Sequence, residues 1–143
     1  MVDKQYLIDL NKKILETYTK KHRGAHAPFV VRTEIDEIMP MIEKVGKSGD
    51  EKKDLIEKSA YLMASISWMQ PFGDGNKRTG LISAMKFLRD NGYELEISTD
   101  EDQREIRRLL YEIQDERTSL NSLVVKQIIF YISKRISKHE PRR

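Results

Sequence analysis

The stretch "WMQPFGDGNKRTG", residues 68–80, concentrates residue types that bind phosphates and metal ions. Gly73 and Gly75 let the backbone wrap closely around an anion, because neither residue carries a Cβ atom. Lys77 and Arg78 add positive charge, and an arginine can contact a phosphate through two parallel hydrogen bonds. The spacing matches neither the Walker A pattern nor the dinucleotide-binding fingerprint. The stretch is therefore a candidate anion-binding turn of another type.

Asp74 lies in the middle of this turn, where a carboxylate would repel an anion unless a cation lay between them. Mg²⁺ binds one or two carboxylates together with phosphate oxygens, so it would resolve the conflict. We therefore predict a site for a Mg-nucleotide or a Mg-diphosphate, with Asp74 as a metal ligand. The alternative is purely structural, because glycine, aspartate and asparagine also form turns and helix caps without any ligand.

The elements on both sides of the turn are predicted to be helical. Apolar residues at three- and four-residue spacing predict a first helix over residues 3–21, with Tyr18 on its buried face. Similar patterns predict further helices near 48–50, near Asn76, at Ser98 with Glu101 as a capping box, and at Ser119, with Leu123 in its core face. Thr33 is a start signal for another helix, and Pro40 inside it would either kink this helix or make it begin later. "YELEIS" is expected to be a short extended link. The fold class is thus all-α, a compact bundle of five to six helices with a short flap hairpin or loop at "HAPFVV".

Length and composition predict one domain over residues 1–137 followed by a solvated basic tail at 138–143. There are no cysteines, which excludes disulfides and thiolate metal sites, and three scattered histidines argue against a zinc site. The net charge of +3 is mild and the tail lacks interleaved aromatic residues, so nucleic acid is not an expected partner. No apolar run approaches the roughly 20 residues that span a bilayer, and no signal-peptide pattern is present, so we expect a cytoplasmic protein without membrane contact.

The sequence "QPFGDGNKRTG" resembles the signature of Fic/Doc proteins, His-x-Phe-x-(Asp/Glu)-Gly-Asn-(Gly/Lys)-Arg, which lies between two helices of an all-helical domain. The agreement runs from Pro71 to Arg78 and fails at Gln70, where the signature has histidine. The flanking segments "YLMASISW" and "TGLISAMKFLRDNGYEL" are similar to a Doc-type death-on-curing protein.

This resemblance implies Mg²⁺ and ATP as cofactors, with Asp74 on the metal and Phe72 as a core anchor. The expected nucleotide contacts come from Gly73, Gly75, Asn76, Lys77 and Arg78, with the backbone at 75–77 as an anion hole. The expected catalytic positions are Gln70 and Arg78. The flap would align a target protein by strand addition.

Most relatives transfer AMP from ATP to a protein hydroxyl, on a Ser, Thr or Tyr side chain. Doc-type members look like kinases that act on a translation factor, and both Lys77 and the absence of a second arginine at Leu81 favour that branch. No glutamate is followed by Gly or Asn, as a self-inhibitory Ser/Thr-x-x-x-Glu-(Gly/Asn) helix would require, so an antitoxin in trans, or none, is expected.

Gln70 decides whether the site can react. An amide does not accept a proton near neutral pH, and losing a general base costs about two to four powers of ten in rate. Gln70 is an inactivating substitution in a toxic enzyme, the mark of a natural pseudoenzyme, or a variant that only positions the hydroxyl, since phosphoryl transfer needs little base assistance. His26 in the flap is a candidate displaced base. Two functions remain open: a Fic/Doc-type transferase of AMP or phosphate, and an inactive module that binds a nucleotide or a partner.

Overall fold

The computed structural model describes residues 1–21, 29–115 and 119–139. Within these ranges the chain forms six α-helices and one small antiparallel sheet, which confirms the predicted all-α class. The elements in chain order are α1 (Lys4–Lys21), α2 (Ile35–Lys44), α3 (Glu51–Met69), α4 (Asn76–Asp90), β1 (Tyr93–Leu95), α5 (Asp100–Asp115), α6 (Ser122–Arg135) and β2 (Ile136–Lys138). None of the described helices is both long and apolar enough to cross a membrane.

Helix α3 lies at the centre of the bundle and contacts α2, α4, α5 and α6. It is buried on several sides because many of its residues are small or apolar, and its buried serines are satisfied within the helix. Ser67 Oγ donates to the Met63 carbonyl at 2.8 Å, and Ser59 Oγ donates to the Ile56 carbonyl at 2.9 Å. A buried hydroxyl that finds a carbonyl in its own helix needs no partner elsewhere. The loop that follows α3 is thus attached to the helix with the most buried residues among the described helices.

Helix α4 packs against α3 through small residues. A Cβ atom added at Gly80 would lie 2.9 Å from the Met63 carbonyl oxygen, so the two backbones approach too closely for any side chain there. Ser83 and Ala84 extend the same buried face. As a result, the larger residues Leu81 and Met85 lie beside this face and are free to line a cavity.

Helix ends correct two sequence-based predictions and decide a third, because α2 takes the later start that was left open for it. α2 begins at Ile35, two residues after Thr33, and continues through Pro40. The Thr99 hydroxyl, and not Ser98, accepts a hydrogen bond from the first turn of α5 at 3.0 Å. α6 is capped by Asn121, whose Oδ1 accepts two backbone N–H groups, so its predicted opening at Ser119 was wrong. Both true caps place a side-chain oxygen directly before the first helical residue, which is where free N–H groups need it.

Two residues predicted to be buried are exposed. Tyr18 is 39% exposed and Leu123 is 69% exposed. Both lie in terminal turns, the last of α1 and the first of α6, where a helix has fewer neighbours to pack against. The spacing of apolar residues identified the correct helices, but it did not show how far each helix extends beyond the core.

The small sheet joins the segment after α4 to the residues that follow α6. β1 and β2 are antiparallel, with Tyr93 opposite Lys138, which confirms the extended link predicted at "YELEIS". The predicted boundary between 137 and 138 falls inside β2. Residues 140–143, the rest of the predicted tail, lie outside the described ranges.

Candidate functional site

The loop between α3 and α4 begins with a strained residue. Gln70 ends α3 with φ 49° and ψ 59°, and it is the only non-glycine residue with positive φ in the described ranges. Such a left-handed backbone costs a residue with a Cβ atom about 1–2 kcal/mol. Its N–H still donates to the Ile66 carbonyl at 3.1 Å. The position that the Fic/Doc signature gives to histidine is therefore held in a conformation that its surroundings must enforce.

An extended segment ending at Arg32 supplies part of that enforcement. The Arg32 N–H donates to the Pro71 carbonyl at 2.6 Å, and the Gly73 N–H donates to the Val30 carbonyl at 3.0 Å. Arg32 Nη1 also donates to the carbonyls of Gln70, at 2.8 Å, and Phe72, at 2.6 Å. The end of the predicted flap and the loop therefore form one hydrogen-bonded unit.

Asn76 closes the loop with its own side chain. Its Oδ1 accepts from the Phe72 N–H at 3.0 Å, and its Nδ2 donates to the Phe72 carbonyl at 2.9 Å. Phe72 is completely buried, as a core anchor should be. Because both ends of the Asn76 amide are engaged, only its backbone N–H is available for the predicted nucleotide contact.

Asn11 of α1 supports the loop from the core side, a role that was not predicted from the sequence. It is completely buried, and its Nδ2 donates to the Asp74 carbonyl at 2.8 Å and to Thr79 Oγ1 at 3.2 Å. A Cβ atom added at Gly75, where φ is 74°, would lie 3.2 Å from the same Nδ2. The signal that could have revealed Asn11 is a polar residue midway between Leu7 and Leu15 on an otherwise apolar helix face.

The outer side of the loop exposes the groups suited to a ligand. Gly73 and the Asp74 side chain are exposed, and Asp74 Oδ1 accepts from the Gly75 N–H at 2.7 Å. No side chain caps the first turn of α4, so its free N–H groups can receive an anion. In the described part of the chain no three His, Cys, Asp or Glu side chains cluster as a metal site. A Mg²⁺ ion at Asp74 would need water and ligand oxygens to complete its coordination.

A cavity of about 480 Å³ lies between α4 and α5, next to this first turn. Lys77 and Arg78 reach it from α4. The Lys77 ammonium donates to Gln114 Oε1 and lies 4.3 Å from the centre of the Tyr111 ring. The cavity is lined by Lys77, Arg78, Leu81, Met85, Ile97, Gln103, Ile106, Arg107, Leu110 and Tyr111.

The structure thus brings most of the predicted site residues to one end of α4. Asp74 lies at its N-terminus, and Lys77 and Arg78 face the adjoining cavity. His26, the candidate displaced base, lies outside the described residues. His139 lies at the small sheet, with its Nδ1 3.5 Å from Glu94 Oε2.

Comparison of the sequence with models of known families agrees with the resemblance seen in the loop. The sequence model of the Fic/DOC family matches residues 1–88, which is more than half of the chain. The chain belongs to the Fic/DOC family. A search of curated proteins finds no match to it. The Fic/DOC match ends inside α4, so α5 lies beyond the matched residues although it forms one wall of the cavity.

The residues that α5 contributes to the candidate site were not predicted from the sequence. Arg107, Tyr111 and Gln114 are spaced by four and three residues, which places them on one face of the helix. The adjoining face carries the predicted core residues Ile106, Leu109, Leu110 and Ile113, which are all buried, and Ile106 and Leu110 also line the cavity. A polar and aromatic stripe of this kind is the signal that could have identified α5 as one wall of the cavity.

Proposed function

We propose that this Fic/DOC domain binds Mg-ATP and moves AMP or phosphate to a hydroxyl group of a protein. The observation that carries the proposal is the uncapped first turn of α4, flanked by the Asp74 carboxylate and opening onto a cavity that Lys77 and Arg78 line. Free N–H groups and two cations favour a polyphosphate, and the apolar part of the cavity suits a nucleoside. A volume of about 480 Å³ is in the range of small-molecule sites.

The metal ion fits the donors that the loop offers. Asp74 would hold Mg²⁺ through its exposed carboxylate, and the ion would take its other ligands from phosphate oxygens and water. When bound, Mg²⁺ neutralises charge on the phosphates. A single carboxylate is a weak site for the ion alone, so metal and nucleotide are expected to bind together.

The reaction joins a target hydroxyl oxygen to phosphorus. Attack on the α-phosphorus releases pyrophosphate and leaves AMP on the protein, whereas attack on the γ-phosphorus releases ADP and leaves phosphate. In both cases the hydroxyl proton must leave, and Gln70 does not accept it near neutral pH. Gln70 can orient the hydroxyl, so we expect a slow reaction, about two to four powers of ten below one with a general base.

The target would bind beside the loop. Phe29, Val30 and Val31 are exposed by 45%, 40% and 38%, and Val31 already pairs with Phe72. A backbone segment with exposed apolar side chains can receive an extended strand of another protein. A translation factor is the target class that the Doc-like features favour, and an antitoxin acting in trans is a second candidate partner.

A binding module without turnover is the second candidate function, and Gln70 is the observation that favours it. The loop that holds the nucleotide is built without help from the Gln70 side chain, since Asn76, Arg32 and Asn11 supply its supporting side-chain contacts. Loss of the general base would therefore leave nucleotide binding intact.

Incubation with ATP labelled at the α- or the γ-phosphate separates these functions. The chain and its Gln70→His variant are each mixed with candidate target proteins. Label from the α-position on protein indicates AMP transfer, label from the γ-position indicates a kinase, and label with the variant alone indicates that Gln70 disables the site. In the variant background, Arg78→Ala should abolish labelling, whereas Arg104→Ala, an exposed arginine outside the cavity, should not. If neither chain binds Mg-ATP and Gln70→His labels nothing, the proposed function is wrong.

A further inference from the structure

Two arginines from different helices face the cavity between α4 and α5 without a partner. Arg78 belongs to the first turn of α4 and Arg107 to the middle of α5, and both are exposed. Within the described residues neither makes an ion pair or a hydrogen bond through its side chain. Arg108 and Arg135 behave differently, since they bind carboxylates at 2.8 and 2.9 Å. Arg104 of α5 also lacks an ion pair with the described residues, but it does not line the cavity.

The lining of this cavity contains cations but no carboxylate. Lys77, Arg78 and Arg107 are its charged members, and the remaining lining residues are apolar, aromatic or amide side chains. Acidic residues are abundant in the chain, with 23 Asp and Glu, so their exclusion from this surface is local. Three like charges around a concave site repel one another and focus a positive potential into it. An anionic ligand removes that repulsion.

Helix α5 also holds the third cation without neutralising it. The Lys77 ammonium donates to the uncharged Gln114 amide and lies over the Tyr111 ring. Both contacts orient an ammonium group while leaving its full charge. The wall formed by α5 therefore preserves positive charge at the place where a carboxylate would have cancelled it.

We propose that Arg107 is a phosphate-binding residue of the nucleotide site, so that α5 supplies part of the ligand recognition from outside the segment matched by the family. This inference rests on the proposed function and names a further ligand contact within it. The ligand is a nucleoside di- or triphosphate, whose phosphates meet Arg107 and Arg78 while its uncharged part lies against Leu81 and Met85.

The test is calorimetric titration of the full chain with AMP, ADP and ATP in the presence of Mg²⁺. Arg107→Gln should weaken ATP binding by about tenfold, because it removes a charge-assisted hydrogen bond, and should weaken AMP binding less. The matched control is Arg104→Gln, an exposed α5 arginine outside the cavity and without an ion pair, which should change each affinity by less than about twofold. Arg107→Lys keeps the charge but loses the planar two-point hydrogen bonding of arginine, so its ATP affinity should lie between those of Arg107→Gln and the wild type.

The dependence on phosphate number separates ligand contact from a structural role. Equal weakening of AMP and ATP binding by Arg107→Gln would mean that the residue shapes the cavity and would overturn the inference. Unchanged ATP binding by Arg107→Gln would also overturn the inference. If Arg78→Ala weakened ATP binding in the same series, the proposed function would still be supported. A wild-type chain that binds none of the three nucleotides would overturn both.

Discussion

At the scale of single residues, the loop divides into side chains that build it and side chains that remain for a ligand. Asn76 and Asn11 are buried and hydrogen-bond to the loop backbone. Asn76 bonds both the N–H and the carbonyl of Phe72, and Asn11 donates to the Asp74 carbonyl. Asp74 and Arg78 are exposed and keep charge available at the surface. Substitutions in the first group are therefore expected to change stability, and those in the second group to change binding.

Asn76→Ala should destabilise the fold by about 2 kcal/mol, because it leaves the buried Phe72 N–H without its acceptor. The Phe72 carbonyl keeps its bond from Arg32, so it adds little to the loss. Urea denaturation measures the difference. Asn91→Ala is the control, since Asn91 is exposed and donates to the Phe87 carbonyl at 2.8 Å, and its loss should stay below about 1 kcal/mol. Equal losses for both variants would contradict the loop-closing role of Asn76.

Asp74→Asn should weaken ATP binding about tenfold in the presence of Mg²⁺ and should not weaken it in EDTA. Without the metal, removal of the carboxylate removes a repulsion, so the affinity for the bare nucleotide should stay constant or rise. Titration under both conditions measures this, with Asp100→Asn at the start of α5 as the control. Similar weakening with and without Mg²⁺ would show that Asp74 acts through the loop and not through a metal.

At the scale of elements, the close contact between α3 and α4 predicts that Gly80→Ala changes stability in the direction opposite to that expected from helix propensity. In an open helix, Gly80→Ala would stabilise the protein by about 1 kcal/mol. Here the new Cβ atom would lie 2.9 Å from the Met63 carbonyl oxygen, and the substitution should instead destabilise the fold by about 1–3 kcal/mol. Thermal or urea unfolding shows whether the substitution raises or lowers the free energy of unfolding. A more stable variant would show that α4 can move away from α3 at little cost.

The helices themselves could be predicted from the sequence, because large apolar residues at regular spacing mark a buried face. The small face of α4 could not, since Gly80, Ser83 and Ala84 carry no such pattern and their burial depends on the neighbouring α3. The caps at Thr99 and Asn121 were missed because several adjacent residues can cap and only the backbone path selects one.

The proximity of the candidate site residues was predictable to the extent that they are neighbours in the sequence. Residues 70–78 form one loop, so their proximity follows from the chain itself. The role of Asn76 depends on how that loop closes, and the contribution of Arg107 depends on how α5 packs beside α4. Exposed polar residues on a helix are usually solvated, and nothing in the α5 sequence alone distinguishes Arg107 from Arg104.

At the scale of the whole molecule, carboxylates held by ion pairs and hydrogen bonds give stability a dependence on pH. The Arg135 guanidinium, which hydrogen-bonds to Asp102, lowers the pKa of that carboxyl, and hydrogen bonds from Ser48 lower the pKa of Asp54. A carboxyl whose pKa is lower in the folded state stabilises the fold above its unfolded pKa of about 4, and this contribution is lost as pH falls through the folded value.

The urea concentration at the midpoint of unfolding should therefore decrease as the pH is lowered from 6 to 3. Asp102→Asn removes one of the groups responsible, so the variant should be less stable than the wild type at pH 6 and should lose less on acidification. Asp100→Asn, whose side chain makes no ion pair with the described residues, should follow the wild-type profile. An identical pH dependence for Asp102→Asn would show that its pair with Arg135 adds nothing.

The cavity wall formed by α5 has a consequence for how such a protein can diversify. Tyr111 and Arg107 lie on exposed helix surface, away from the buried face that holds α5 in the bundle. Exchanges at these positions alter the chemistry offered to a ligand without repacking the core or touching the loop. A library randomised at Arg107, Tyr111 and Gln114 should therefore contain mostly folded chains with altered nucleotide preference, all carrying an unchanged motif.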